Sequence, residues 1–239
     1  MTMNYDFHGA EYTGEQIDTA IKAAAGANFM TDMTSIFCIA LSNNLLIPIK
    51  NKKVEIVDLD EYVKKWVTKY INGYENRPSK RRGNPSNTVA DSLMKEIYHK
   101  LHPHLEDKVV EIVAAGHSTM MTIENIVGDM LEEYLSGKLA AHGWRCCWGT
   151  TVKSVDFIND NGTLLQVKTS DNSENSSSSA VRIGTSIEKW YRRVSTKADT
   201  YRWDDLIKMT VDHTISEKDF RAFVATTINN NPDCVYIHK

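Results

Sequence analysis

Apolar residues recur at three- and four-residue spacing through the first half of the chain, the signature of amphipathic helices. Gly14 to Ala25 reads as an Ala-rich helix, and Thr31 to Leu41, with Met33, Ile36, Phe37, Ile39 and Ala40, as a more buried one. Pro48 ends the apolar stretch that follows. From Asp60 to Tyr70, the residues Tyr62, Val63, Trp66, Val67 and Tyr70 form one face, with Lys64, Lys65 and Lys69 opposite. A break rich in Gly, Asn and Pro, Asn72 to Asn87, precedes a helix predicted over Val89 to Lys100, which Ser86 or Asn87 can cap. Thr122 to His142 is the longest periodic segment. Ile123, Ile126, Val127, Met130, Leu131, Tyr134, Leu135 and Leu139 make its apolar face, and Gly143 is a natural stop.

Beyond Gly143 the period changes. Arg145 to Trp148 and Val152 to Ile158 alternate or run apolar like strands, and Thr163 to Lys168 reads as a returning strand. Between them Asn159-Asp-Asn-Gly162 reads as a tight hairpin turn, because Asn-Gly supplies the positive φ such turns require. The expected fold is therefore α+β or α/β. A mainly helical region over 1–120, in which no strand is read, precedes a mixed core over 121–239.

With 239 residues the chain is long enough for one large domain or two small ones. A net charge of -3 gives no global bias toward a polyanion, so such a site must be a local patch. Two patches exist. Arg77 to Arg82 (RPSKRR) carries four cations, and Ser176 to Lys208 holds seven Lys/Arg against four Asp/Glu. The four cysteines, Cys38, Cys146, Cys147 and Cys234, form no CxxC pair and show no zinc-like spacing with histidine. A reduced, intracellular thiol pool is the expectation. The most apolar early segment, Ile36 to Leu41, is far shorter than the ~20 residues a membrane span needs. A soluble, cytoplasmic protein without membrane contact is expected. No Ser-His-Asp order, P-loop or GxGxxG is present, and His117, His142 and His213 read as structural or surface residues.

Polar residues inside the strand segments are the candidate chemistry. Asp156 interrupts the apolar run Ser-Val-Asp-Phe-Ile, and Gln166 and Lys168, two apart on the returning strand, share a face. Pairing across the hairpin can bring Asp156 to that face, although spacing alone leaves the register open. It also leaves open that all three are solvated strand-end residues. An Asp carboxylate with a neighbouring carbonyl, such as that of Val167, can hold a hard divalent ion. A lysine beside them can orient or deprotonate an attacking water and stabilise developing charge. The pattern D-x9-Q-x-K therefore suggests metal-assisted phosphodiester hydrolysis. Glu132 and Glu133, on the preceding helix after Gly128, are two candidates for a further acid.

The run GDMLEEYL, HGW, VKSVDFI and LLQVKTS resembles the PD-(D/E)xK nuclease core, a helix followed by a hairpin carrying Asp and (E/Q)xK. More narrowly, IENIVGDMLEEYL, CCWG, SVDFI, QVK, SENSSSSAVRIGT and IEKWYRR are similar to type II restriction endonucleases of the SinI kind. That resemblance covers roughly residues 84 to 205. It implies magnesium-dependent cleavage of double-stranded DNA at a short palindrome of the GG(A/T)CC type. It further implies a cytoplasmic, prokaryotic homodimer, with a cognate DNA methyltransferase in the same system but not in a stable complex. Asp156 matches the metal-binding acid, Lys168 the catalytic lysine and Glu132 the helix acid, with Glu133 as the fallback. Gln166 departs from the more frequent Glu. An amide can coordinate through its carbonyl oxygen but removes one negative charge from the site.

Recognition of DNA calls for cations on phosphates and bidentate groups on base edges. The segment 169–205 supplies Asn172, Asn175, Ser177, Arg182, Lys189, Arg192 and Arg193, with Arg182 the first choice for a guanine. Lys189 and Arg192, three apart, would share one helical face toward phosphates. Trp190 and Tyr191 read as packing residues. The stretch 77–87, held extended by Pro78 and Pro85, offers Lys80, Arg81 and Arg82 as a second DNA-contacting arm. Alternatives are a structure-selective or repair nuclease with the same core, and a DNA-binding module without catalysis.

Overall fold

Local capping sets the helices of the first half. In the computed structural model, which describes residues 3–83, 91–172 and 186–235, α1 (Gly14–Ala25) opens on a capping box. The Gln16 N–H donates to Thr13 Oγ1 at 3.2 Å and the Thr13 N–H to Gln16 Oε1 at 2.8 Å. Helix α2 (Asp32–Ser42) buries Met33, Ile36 and Phe37. Helix α3 (Leu59–Glu75) is capped by Asp58, whose carboxylate accepts the Glu61 N–H at 2.8 Å, and it runs further than its periodicity predicts.

The expectation of a strandless first 120 residues is corrected. A hairpin β1 (Asn4–Phe7) and β2 (Ala10–Thr13) precedes α1, and a smaller one, β3 (Lys50–Asn51) and β4 (Val54–Glu55), precedes α3. Helix α4 (Ser92–Leu101) is capped by Asp91, while Ser86 and Asn87 lie outside the described residues. Helix α5 (Asp107–Leu139) is the longest element and begins well before Thr122, running unbroken through residues 120 and 121. It ends in a 3₁₀ turn stopped by Gly143 in the left-handed region at φ +76°.

Four strands form the central sheet in the order β5 (Trp144–Cys146), β6 (Phe157–Asn159), β7 (Leu164–Ser170) and β8 (Ile187–Arg193). The first two pairings are antiparallel and β7–β8 is parallel, so the fold is mixed α/β with a mixed sheet. The β6–β7 turn lies where Asn-Gly predicts it. Of its residues only Gly162 has positive φ (+89°), and its N–H reaches the Asn159 carbonyl at 2.8 Å. It is thus a type I turn with a glycine bulge, one residue longer than the two-residue form.

Two further expectations are corrected. Val152 to Val155 is not strand but an irregular loop, with Ser154 at φ +59°. The segment holding Lys189 and Arg192 is strand β8, not helix, and so places these two residues on opposite faces.

The sheet separates two cores. Ile158 and Leu164 pack with α1, α2 and α3, whereas Phe157, Leu165, Val167 and Trp190 pack with α5, α6 (Trp203–Thr210) and α7 (Glu217–Asn230). This alternation leaves the even-numbered positions beyond Leu164, namely Gln166 and Lys168, on the side of the first core. The four cysteines are buried free thiols. Among the described residues, no helix is long and apolar enough to cross a membrane.

Candidate active site

The hairpin register settles where Asp156 lies. Phe157 pairs with Leu165 and Ile158 with Leu164, so Asp156, one residue before β6, falls opposite Gln166 on the same face. Its backbone N–H donates to the Leu165 carbonyl at 2.9 Å, and its Oδ2 accepts the Val167 N–H at 2.7 Å. The acid is therefore bonded to the peptide between Gln166 and Lys168. Sequence spacing puts Gln166 and Lys168 on one face and leaves the register of Asp156 open; the structure brings the three residues together.

Helix α5 supplies two glutamates with different surroundings. Glu133 is a buried tie, accepting hydrogen bonds from the Ser79 N–H at 3.0 Å and the Ser79 hydroxyl, and pairing with Arg77 Nε at 3.2 Å. Glu132 instead faces Asp156, Asp129 and Lys168. Burial first, then repulsion from Asp156 and Asp129, pushes the Glu132 carboxyl well above its ordinary range, while Lys168 pulls it back. Asp156 is also raised, by burial, against the Val167 N–H and the Lys168 ammonium that favour its ionised form. Two carboxylates thus crowd one desolvated site with a lysine beside them, the environment in which functional groups concentrate.

A cleft of about 610 Å³ opens over this group. Glu132, Asp156 and the buried Gln166 line it on one side, and Lys69, Arg81 and Lys153 bring cations to its walls. Its floor is pinned by α3: Tyr70 donates to the Cys146 carbonyl at 3.1 Å and the Trp66 indole to the Thr151 carbonyl at 3.3 Å. A glycine contact completes the wall. A Cβ on Gly73 would lie 2.2 Å from the Gly149 nitrogen, and one on Gly149 would lie 2.1 Å from the Lys69 carbonyl oxygen. By contrast, a Cβ on Gly128 would meet Thr169 Cγ2 at 3.8 Å, so this glycine is not required for close packing of α5 on the sheet.

The DNA-contacting candidates fare differently. The arm at 77–81 is not extended: the Lys80 and Arg81 N–H groups both donate to the Arg77 carbonyl, at 2.9 and 3.0 Å. Lys80 pairs with Glu75 at 3.0 Å and Arg81 with Asp129 at 2.7 Å, while Arg82 is exposed. Asn231 holds the turn from the far end of the chain through the Pro78 and Arg81 carbonyls, at 2.9 and 2.8 Å. On β8, Lys189 and Tyr191 lie beside Gln166 and Lys168 in the parallel register, and Arg193 beside Ser170. Arg192 is turned into the second core, against Glu217 at 2.8 Å and over the Tyr201 and Phe220 rings. Trp190 packs there too, as expected. Asn172 is exposed after β7, whereas Asn175, Ser177 and Arg182 lie outside the described residues.

Asp129 was missed. It stands three residues before Glu132, on the same helical face by ordinary helix spacing, and that spacing was the available signal. The Gly73–Gly149 contact and the cleft lysines Lys69 and Lys153 left no local trace in sequence.

The chain belongs to the SinI restriction endonuclease family, whose sequence pattern matches residues 15–230. Over 149 residues it is 42% identical to the type II restriction enzyme Eco47I of Escherichia coli. Over the same length it is 39% identical to the type II restriction enzyme SinI of Salmonella infantis. In both comparisons the aligned stretch covers 60% of this chain and 64% of the relative, so the chain spans under two thirds of each relative's length.

Proposed function

We propose that the protein is a type II site-specific deoxyribonuclease that hydrolyses phosphodiester bonds of double-stranded DNA with magnesium. The single observation that carries this reading is the Asp156 carboxylate bonded to the Val167 N–H, on the strand that also presents Gln166 and Lys168. Helix α5 followed by the hairpin β6–β7 is consistent with the resemblance to a PD-(D/E)xK core, a helix and then a hairpin carrying Asp and (E/Q)xK. The relatives' names, both type II restriction enzymes, support the same class.

The donor set suits a hard divalent ion. Among the described residues no three His, Cys, Asp or Glu side chains converge on one point, so the set is two carboxylates, an amide and a strand carbonyl. Asp156 and Glu132 repel one another in a confined site, and a cation between them relieves that repulsion. Asp156, Glu132, the Gln166 carbonyl oxygen and the Val167 carbonyl would hold it, all oxygen donors. When bound, magnesium supplies Lewis-acid chemistry, lowering the pKa of water and offsetting phosphate charge. Glu132 restores the charge that Gln166 lacks. Lys168 orients the attacking water and stabilises charge developing on the phosphate.

Cleft cations and the β8 face hold the DNA. Lys69 and Lys153 approach the backbone from the α3 side, Lys189 and Arg193 from β8, and Arg82 from the arm. Asn172, Asn175, Ser177 and Arg182 read the bases of a palindrome, by resemblance of the GG(A/T)CC type. Two copies of the chain match the two-fold symmetry of such a site. A methyltransferase acting on the same sequence is expected in the same system.

Plasmid digestion with magnesium, followed by sequencing of the cut ends, tests the reading. Discrete fragments with one end sequence are expected. A smear would mean a structure-selective nuclease, and salt-dependent binding without product a non-catalytic DNA-binding module. Either outcome overturns the proposal.

A further inference from the structure

The arm at 77–83 is held on two sides. Toward α5, Glu133 accepts from the Ser79 N–H at 3.0 Å and pairs with Arg77 Nε at 3.2 Å. The Arg77 guanidinium also lies 3.9 Å over the Tyr74 ring of α3. From the other side, Asn231 donates to the Pro78 and Arg81 carbonyls, and the Gly83 N–H donates to the Asp233 carbonyl at 2.7 Å. These ties fix the backbone of Arg81 but not its side chain. Arg81 borders the cleft, whose lining it shares with Asp129, Glu132, Asp156 and Gln166.

The two arginines of the arm have different ion pairs. Arg77 and Glu133 are 14% and 9% exposed, so that pair is part of the packing. Arg81 Nη1 lies 2.7 Å from Asp129 Oδ2, and these side chains are 26% and 44% exposed. A pair so open to water is weak, and Asp129 returns to solvent at little cost when it separates. A phosphate is the stronger partner, because the guanidinium fork can engage two of its oxygens at once. The cleft also calls for such a cation. Asp129, Glu132 and Asp156 all line it, and a phosphate entering there meets their repulsion.

We propose that Arg81 is a phosphate-binding residue of the active site, parked on Asp129 until DNA enters the cleft and then passed to the phosphate beside Asp156 and Glu132. Asp129 is the positioning residue: it holds the guanidinium over the cleft and competes with DNA for it. The clamped backbone keeps the side chain within reach, so little further ordering accompanies the transfer. This role rests on the magnesium site proposed above.

Binding in calcium and single-turnover cleavage in magnesium test it, on the full chain with a duplex spanning a cut mapped on plasmid DNA. Arg81→Ala should weaken binding, lower the slope of log K against log salt by about one, and slow cleavage at saturating DNA about a hundredfold. Arg81→Lys should recover more of the binding than of the rate, since a point charge replaces a fork. Asp129→Asn should move binding the other way, about twofold to fivefold tighter, because the competing carboxylate is gone. A pair with a merely structural role would lose affinity in both variants alike, and that result overturns the proposal. Should Arg81→Ala melt early, the affinity of Asp129→Asn decides. The magnesium site fails separately: cleavage by Asp156→Asn at the parent rate removes that site. An inactive Asp156→Asn beside an Arg81→Ala that cuts at the parent rate overturns the role of Arg81 alone.

Discussion

The Asp156 side chain is tied to the strand beside it by the Val167 N–H, which donates to its Oδ2 at 2.7 Å. That bond fixes the acid between Gln166 and Lys168 and leaves its other oxygen for a ligand. Asp156→Asn preserves an acceptor for Val167, so folding should change little. Cleavage should fall about a thousandfold or more, because the anionic donor is gone. DNA binding in calcium should persist. Plasmid nicking and a filter-binding titration, run side by side, check both halves. Cleavage at the parent rate would remove Asp156 from the site.

The crowding of Glu132 against Asp156 has a stability consequence with a definite sign. Both carboxyls are raised in the folded protein, so the folded state binds protons more tightly than the unfolded chain there. Their contribution is fully favourable below the unfolded value of about 4 and is lost as pH rises through the folded values. At pH 8 without metal that favourable contribution is diminished, and the crowded pair destabilises the fold. Glu132→Gln should raise stability under those conditions by about 1–2 kcal/mol, and less at pH 4.5. Magnesium should raise the parent's melting temperature more than the variant's. Thermal melts in EDTA and in magnesium at the two pH values check this; a variant less stable than the parent at pH 8 in EDTA would refute it.

Glycine at 149 is demanded twice, by φ +75° and by the Lys69 carbonyl that a Cβ would meet at 2.1 Å. Gly149→Ala must push α3 away from the loop that carries Cys147 and leads to Asp156. A loss of about 2–4 kcal/mol is expected, together with lower activity. Gly128→Ala, in α5, meets only a methyl at 3.8 Å and gains helix propensity, so it should be neutral or up to about 1 kcal/mol more stable. Urea melts of the pair distinguish a site-specific glycine requirement from general sensitivity.

How much of this was legible in sequence depended on whether the signal was local. The apolar face of α5 from Ile126 to Leu139 and the Asn-Gly turn follow from spacing alone, and they place the hairpin. With the hairpin in place, Asp156, Gln166 and Lys168 fall on one face, and only the register required the structure. Strand β8 was misread because Lys189, Arg192 and Arg193 resemble a charged helix; its strand state comes from pairing with β7, which local propensity does not encode. The β1–β2 and β3–β4 hairpins are short: β1 alternates over only four residues, and β3 and β4 are two exposed residues each, too few for a period to register. Sequence gives Glu132 and Glu133 alike; their different surroundings come from Ser79, 54 positions away, which engages Glu133 and leaves Glu132 beside Asp156.

Strand β8 also puts two adjacent arginines in different surroundings. Arg192 is 12% exposed and paired with Glu217, itself 16% exposed and bonded to Arg221 and the Trp203 indole. Removing Arg192 strips a largely buried carboxylate of one cation and uncovers the Tyr201 and Phe220 rings. Arg192→Ala should cost about 2–3 kcal/mol, at the lower end for a buried pair because Arg221 remains. Arg193 is exposed on the face shared with Ser170. Arg193→Ala should shift stability by less than about 0.5 kcal/mol. It should weaken DNA binding and lower the slope of log K against log salt by about one. Chemical denaturation and salt-dependent DNA titration of the two variants should therefore give opposite patterns. Equal loss of DNA affinity in both, at a temperature where both are folded, would place Arg192 on the DNA face after all.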